Sequence, residues 1–162
     1  MTFRAPSPQS LFLIQILATA MMTGIIWFVQ VVHYPLFPRI PSDGFVAYEQ
    51  SHTLRTGLVV APLMIVELAT ALLLVLLSLP GVTPGNWDFP IVRSPLYLAA
   101  LGCLILIWVS TFLIQVPLHG ILERTPDEKT MALLVATNWI RTILWSIRLV
   151  FLGVLLAGRF AV

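Results

Sequence analysis

Four long apolar stretches, separated by short polar or proline-rich breaks, dominate the chain. The first runs from Leu11 to Tyr34, entered through Ser7-Pro8-Gln9-Ser10 and closed by Pro35 and Pro38, whose rings and missing N–H groups oppose further helix. The second covers Thr56 to Leu79 and stops at Pro80-Gly81. Upstream of it, from about Ser42, the residues Phe45, Tyr48, Glu49 and His52 predict an interfacial turn or two leading in. The third starts at Ser94-Pro95, an N-cap followed by proline at the first helical position, and reaches Leu118. The fourth opens with Thr125-Pro126-Asp127-Glu128, which has the form of a capping box, and ends near Ala157. Each stretch is about 20 residues or longer, enough to cross the hydrocarbon core of a bilayer. The pattern predicts an all-α fold: one integral-membrane four-helix bundle over residues 1–162, with helices near 11–34, 56–79, 95–118 and 127–157.

Composition narrows the class. The chain is 59% hydrophobic and 10% charged, against about 25% charged in a soluble domain, so it cannot cover a water-facing surface. The nine Lys and Arg against seven acids are scattered, which excludes the basic stripe that nucleic acid requires. Cys103 is the single cysteine and lies in an apolar run, so it reads as a small core residue with no intramolecular partner. Arg4 ahead of an apolar run containing Ala18-Thr19-Ala20 imitates a secretion signal. The run continues past it, however, which favours a retained first helix. Four helices put both termini on one face, with Arg4, Arg93, Arg159 and a surface loop around Trp87, while Arg39, Arg124 and Lys129 fall on the other. That even split marks neither face as cytoplasmic.

Polar residues inside the apolar stretches carry the chemistry, because they are rare in hydrocarbon. At an offset of 86 residues His33 pairs with His119, His52 with Asn138, Arg55 with Arg141 and Thr56 with Thr142, and Gln30 pairs with Gln115 at 85. This predicts two parallel-repeated helical hairpins, about 10–80 and 95–162, with equivalent residues at one membrane face. Within one helix, Gln30 and His33, His52 and Arg55, Gln115 and His119, and Asn138 and Arg141 are three or four residues apart, so each couple shares a helix face. Trp108, Thr111, Gln115 and His119 make a further stripe. Glu67 lies deeper, about 60° round the helix from His52, and Arg148 is its expected ion-pair partner. Pro62 and Pro117 are expected to bend their helices. Gly24 and Gly102 are expected at close helix contacts, and Tyr34, Trp139, Arg39 and Arg124 at the headgroups.

Three kinds of chemistry fit this set. His33, His52, His119 and Glu67 could ligate a transition metal. His33 and His119 could grip a haem from both sides. Without either cofactor, histidine could act as acid or base on a lipid-soluble substrate such as a quinone or an aromatic polyketide. In that scheme His52, Arg55, Arg141 and Glu67 are the reactive group, and Gln30, Gln115, Asn138 and Trp145 line the substrate.

The stretch Gln30-Val31-Val32-His33-Tyr34-Pro35-Leu36-Phe37, followed by His52-x-x-Arg55-Thr56 and Asn138-Trp139-Ile140-Arg141-Thr142, resembles small bacterial four-helix integral membrane proteins. Size and the polar, proline-terminated first helix are more loosely similar to the anthrone-oxygenase-like family. The first resemblance implies a bacterial inner membrane; the second implies oxygenation of an aromatic substrate. The expectation is a membrane-embedded, redox or oxygenase-like enzyme. Its alternatives are a non-catalytic subunit of a larger membrane complex or homo-oligomer, which predicts sensitivity at the surface, and a small transporter or proton pathway through Glu67.

Overall fold

A computed structural model describes residues 7–79, 82 and 89–159. Four helical rods make up the fold: α1 (Pro8–Arg39), α2 (Ser42–Leu77), α3 (Pro95–Leu122) and α4 (Glu128–Ala157). All four are long and apolar enough to cross a membrane. A short 3-10 turn, Pro90–Arg93, leads into α3. The expected stop at Pro80-Gly81, the Trp87 loop and Arg4 lie outside the described residues.

Local chemistry sets the starts. Ser7 accepts a hydrogen bond from the Ser10 backbone N–H at 3.1 Å, with Pro8 in the first helical position. Ser94 caps α3 in the same way, accepting from Tyr97 N at 3.2 Å ahead of Pro95. The start of α4 departs from the capping-box expectation. Its N-cap is Asp127, not Thr125, and its carboxylate accepts from both the backbone N–H (2.8 Å) and the hydroxyl of Thr130. An ionised carboxylate accepts more strongly than a threonine hydroxyl and its negative charge suits the helix N-terminus.

Proline does not end α1 as expected, and α3 also runs on through its proline. α1 widens into a π turn at Val29–His33 and then tightens into a 3-10 segment over Tyr34–Arg39 that contains Pro35 and Pro38. α3 likewise passes through a π turn at Thr111–Gln115 and continues as α-helix from Val116 to Leu122, with Pro117 in its first turn. A proline ring clashes with the carbonyl four residues back, and a wide turn just upstream moves that carbonyl aside. Pro62 sits inside α2 without ending it.

The rods associate as a bundle in which α1 packs on α2 and α4, and α3 packs on α4. Three apolar layers stack along it. Leu11, Leu74, Tyr97 and Leu152 close the end nearest the termini. Met22, Met64, Ile107 and Trp145 fill the middle. Tyr34, Phe37, Phe45, Leu122 and Leu134 fill the end with the two tight connections. α2 meets α3 mainly along Val116–Leu122, which leaves a cleft between these two rods. Gly24 and Gly102 are not close helix contacts: a Cβ built on either would meet nothing within 4 Å. Cys103 is buried and unpaired, as a small core residue should be.

Candidate functional site

Glu49, His52 and Thr56 follow one another at helical spacing on α2, so one face carries all three. That face looks onto the end of the α1 π turn, which delivers His33 and Tyr34, and onto His119 of α3. His33 Nε2 lies 2.8 Å from His52 Nδ1, with the rings stacked at 4.4 Å, and Thr56 Oγ1 lies 3.1 Å from the same nitrogen. His119 uses both ring nitrogens: Nδ1 is 2.5 Å from Glu49 Oε1, and Nε2 is 2.9 Å from the Tyr34 hydroxyl. Glu49 is fully buried, and its second oxygen, Oε2, has no protein partner.

The chain Glu49–His119–Tyr34 runs carboxylate, imidazole, hydroxyl, and the tautomer of His119 sets which way each bond points. With Glu49 ionised, His119 donates its Nδ1 proton to the carboxylate and accepts the Tyr34 O–H at Nε2. Carboxylate, imidazole and hydroxyl in that order form a base that is oriented by its acid and aimed at an O–H.

Beside this chain lies a cavity of about 320 Å³, within the size range of small-molecule sites. Its walls are apolar, from Met22, Ile26 and Val60, and polar, from Tyr34, His52, His119, Arg141 and the carboxylate Glu123, which accepts from the Thr53 hydroxyl. Trp145 lies at the level of the middle core layer and also borders it. The cavity opens in the α2–α3 cleft, where Gly57 and Gly120 face it and the wall residue Val116 is exposed. A second hollow, of about 260 Å³, is lined by His33, Arg55 and Thr56 and shares His52 with the first.

Arg141 is buried at the polar wall, where Nε and Nη2 donate to Asn138 Oδ1 at 3.0 and 2.5 Å. Asn138 in turn donates to Gln30 Oε1 at 2.8 Å, and Gln30 donates to the Val135 carbonyl at 3.2 Å. The guanidinium also interacts with the Tyr34 hydroxyl. Among the described residues no carboxylate pairs with it, so its charge is available to a guest. Gln115 borders the cavity, with Oε1 bonded to Ser110 and Nε2 buried without a partner.

The structure therefore brings His33, His52, His119, Arg141, Gln115 and Trp145 to one region. Gln30 and Asn138 are present as positioning residues behind Arg141 rather than as cavity walls. Arg55 is exposed on the second hollow, unlike the buried Arg141. Glu67 is not with the histidines: it lies 15 residues beyond His52, about 22 Å along the axis. Its pairing with Arg148 is present, with Nε to Oε1 at 3.3 Å, and Thr19 Oγ1 (2.5 Å) and Trp145 Nε1 (2.9 Å) also donate to it. A His33–His119 haem grip would require release of the His33–His52 bond and of a His119 bond, to Glu49 or Tyr34.

Two site residues were missed by sequence reasoning. Tyr34 is not a headgroup anchor: it is 3% exposed and bonded to His119. Glu49, placed at an interfacial turn, is the carboxylate of the cluster. Its position three residues before His52 is the signal that could have found it. Compared with known proteins, the chain matches no family model, no curated protein and no solved structure.

Proposed function

We propose that this chain is a membrane-embedded, redox or oxygenase-like enzyme whose lipid-soluble substrate enters between α2 and α3 and gives up a proton at the polar wall of the cavity. The observation that carries this reading is the Glu49–His119–Tyr34 chain, whose His119 and Tyr34 line the cavity, beside an arginine that among the described residues has no carboxylate partner. Deprotonating a phenol or carbon acid yields an electron-rich anion, the form from which oxidation or oxygenation of such molecules starts. His119 takes the proton through Tyr34, Glu49 stabilises the resulting imidazolium, and Arg141 holds the anionic oxygen. Gln115 Nε2 supplies a further donor.

The bilayer is the natural solvent for the outer surface. Leu58 and Leu113 are at least 70% exposed, and contiguous apolar surface of this kind is not stable in water. A laterally open cavity then samples molecules dissolved in the membrane. We also read the two halves as a duplicated hairpin that has since diverged. Support comes from the matched polar residues and from a π turn followed by proline in both α1 and α3.

The test is extraction of small molecules from protein purified out of its host membrane, compared with a Gly57→Phe variant by mass spectrometry. A Cβ at Gly57 would meet nothing within 4 Å, and Gly57 lines the cavity, so a phenyl ring there takes up space that a guest would use. An amphipathic anion or phenol should be enriched with the wild type and depleted at least tenfold in the variant. Identical extracts from the two proteins would sink the reading.

A further inference from the structure

Glu49, His52 and His119 each offer one donor atom, and the three donors lie within 4.8 Å of one another. Glu49 and His52 share one face of α2, and His119 approaches from α3, so the set is held by two separate rods. A cation bound at about 2.0–2.1 Å to each ligand in tetrahedral geometry needs donors about 3.4 Å apart. Binding would therefore have to open the 2.5 Å Glu49–His119 contact and draw in the longer separations, each by about an ångström.

The surroundings are those of a metal site. A metal-bound imidazole has its other nitrogen fixed by an outer partner. Here Tyr34 holds His119 Nε2, while His33 and Thr56 hold His52 Nδ1. His119 Nδ1, which now sits on Glu49, and His52 Nε2 remain as the donors for a cation. Glu49 gives an independent sign: it is fully buried and one of its oxygens has no partner. Leaving a buried carboxylate oxygen unpaired is unfavourable, and a divalent cation removes the deficit while replacing the proton between Glu49 and His119.

We infer that Glu49, His52 and His119 form a binding site for one divalent first-row transition cation, with its open coordination position on the cavity. Two imidazoles and one carboxylate suit Zn(II), Fe(II) or Co(II), and three protein ligands leave room for water or for the oxygen of a guest. This rests on the enzyme reading and changes one role in it: with a cation on Nδ1, His119 would keep its proton on Nε2 and donate to Tyr34, so the cation, not the imidazole, would favour the guest's anion; its test requires no turnover.

The experiment uses tag-free protein in detergent, stripped with chelator and titrated with Co(II). One equivalent should bind saturably with visible d–d absorption, and Zn(II) should displace it. His33→Gln, which removes an outer partner, should weaken binding about 10- to 100-fold. Glu49→Gln and His52→Ala should weaken it further. Where a variant does not fold, X-ray absorption of the Zn(II)-loaded wild type decides: two imidazole nitrogens and a carboxylate oxygen support the site, and any other shell overturns it. Absence of stoichiometric Co(II) binding by wild type also overturns it, as does unchanged absorption in a folded Glu49→Gln/His52→Ala protein. Should the cation fail to bind while Gly57→Phe still depletes the cavity molecule, the metal site falls and the enzyme reading stands. Should Gly57→Phe change nothing while Co(II) binds at these ligands, the reverse holds.

Discussion

Two buried carboxylates, Glu67 and Glu49, solve the same electrostatic problem in opposite ways. Glu67, in the middle of the bundle, receives bonds from Thr19, Trp145 and Arg148, so both of its oxygens are satisfied. Arg148 is in turn tied to the Ala100 carbonyl, with Nη2 left over. Glu49, at the end of the bundle, has one bond, to a histidine, and an unpaired oxygen. The first cluster has almost no valence left for a ligand. The second borders a cavity, has donors and acceptors to spare, and lies beside an arginine that among the described residues has no carboxylate partner. A saturated polar network holds helices together, whereas an unsaturated one at a cavity is where chemistry can happen.

The largest effect should come from breaking the saturated cluster. Glu67→Leu strands Arg148 in an apolar interior and should lower stability by about 3–5 kcal/mol, enough to remove most folded protein. The double substitution Glu67→Leu/Arg148→Met should recover most of that loss, because no charge is then left buried alone. Unfolding in detergent measures both. If Glu67→Leu left stability intact but emptied the cavity, the division of labour between the two carboxylates would be wrong.

Next in size are changes at the unsaturated cluster, which should hurt function far more than folding. Tyr34→Phe removes the O–H that joins the guest to His119 and should slow conversion of the cavity molecule about 10²- to 10⁴-fold, the usual range for lost acid–base help. Its effect on stability should stay near 1 kcal/mol, the net worth of a typical hydrogen bond. Metabolite profiles of host cells and thermal unfolding give the two readouts. A large stability loss with unchanged metabolites would place Tyr34 with the structural set.

The smallest effect sharpens the comparison from outside, at a carboxylate in neither cluster. Asp127 caps α4, and hydrogen bonds from the Thr130 hydroxyl and backbone N–H hold its carboxyl below the ordinary carboxylate range. Because its folded value is depressed, the cap's contribution is full above the unfolded carboxylate pKa and fades as pH falls through the folded one. Asp127→Asn should weaken that pH dependence while leaving the cavity molecule in place. A pH titration of the Thr130 amide resonance reads it directly, and an unperturbed titration midpoint would count against the cap.

The helix count and the polar composition of the site were legible because both rest on contrast with a greasy background. A histidine or arginine in a long apolar run is conspicuous, so His33, His52, His119, Arg141, Glu67 and Arg148 stand out. Glu67 and Arg148 are expected to pair because each is a charge deep in an apolar run, and they do. Angle alone misled at Glu67 itself, because 60° around a helix says nothing about the 15 residues of rise between it and His52. Tyr34 and Glu49 hid for a different reason: tyrosine and glutamate near a helix end are ordinary at an interface, and nothing local marks them as turned inward.

By itself the sequence determined four apolar helices, their approximate lengths and caps, and the short set of polar side chains that hydrocarbon would expel unless they found partners. Only the tertiary structure decided which partner each one found. It carried α1 and α3 through their prolines by way of π turns, left the cleft between α2 and α3, and turned Tyr34 and Glu49 onto His119. The reason is physical: hydropathy acts residue by residue and can be read along a line, whereas a hydrogen bond between α2 and α3 depends on the depth, rotation and bending of two rods at once.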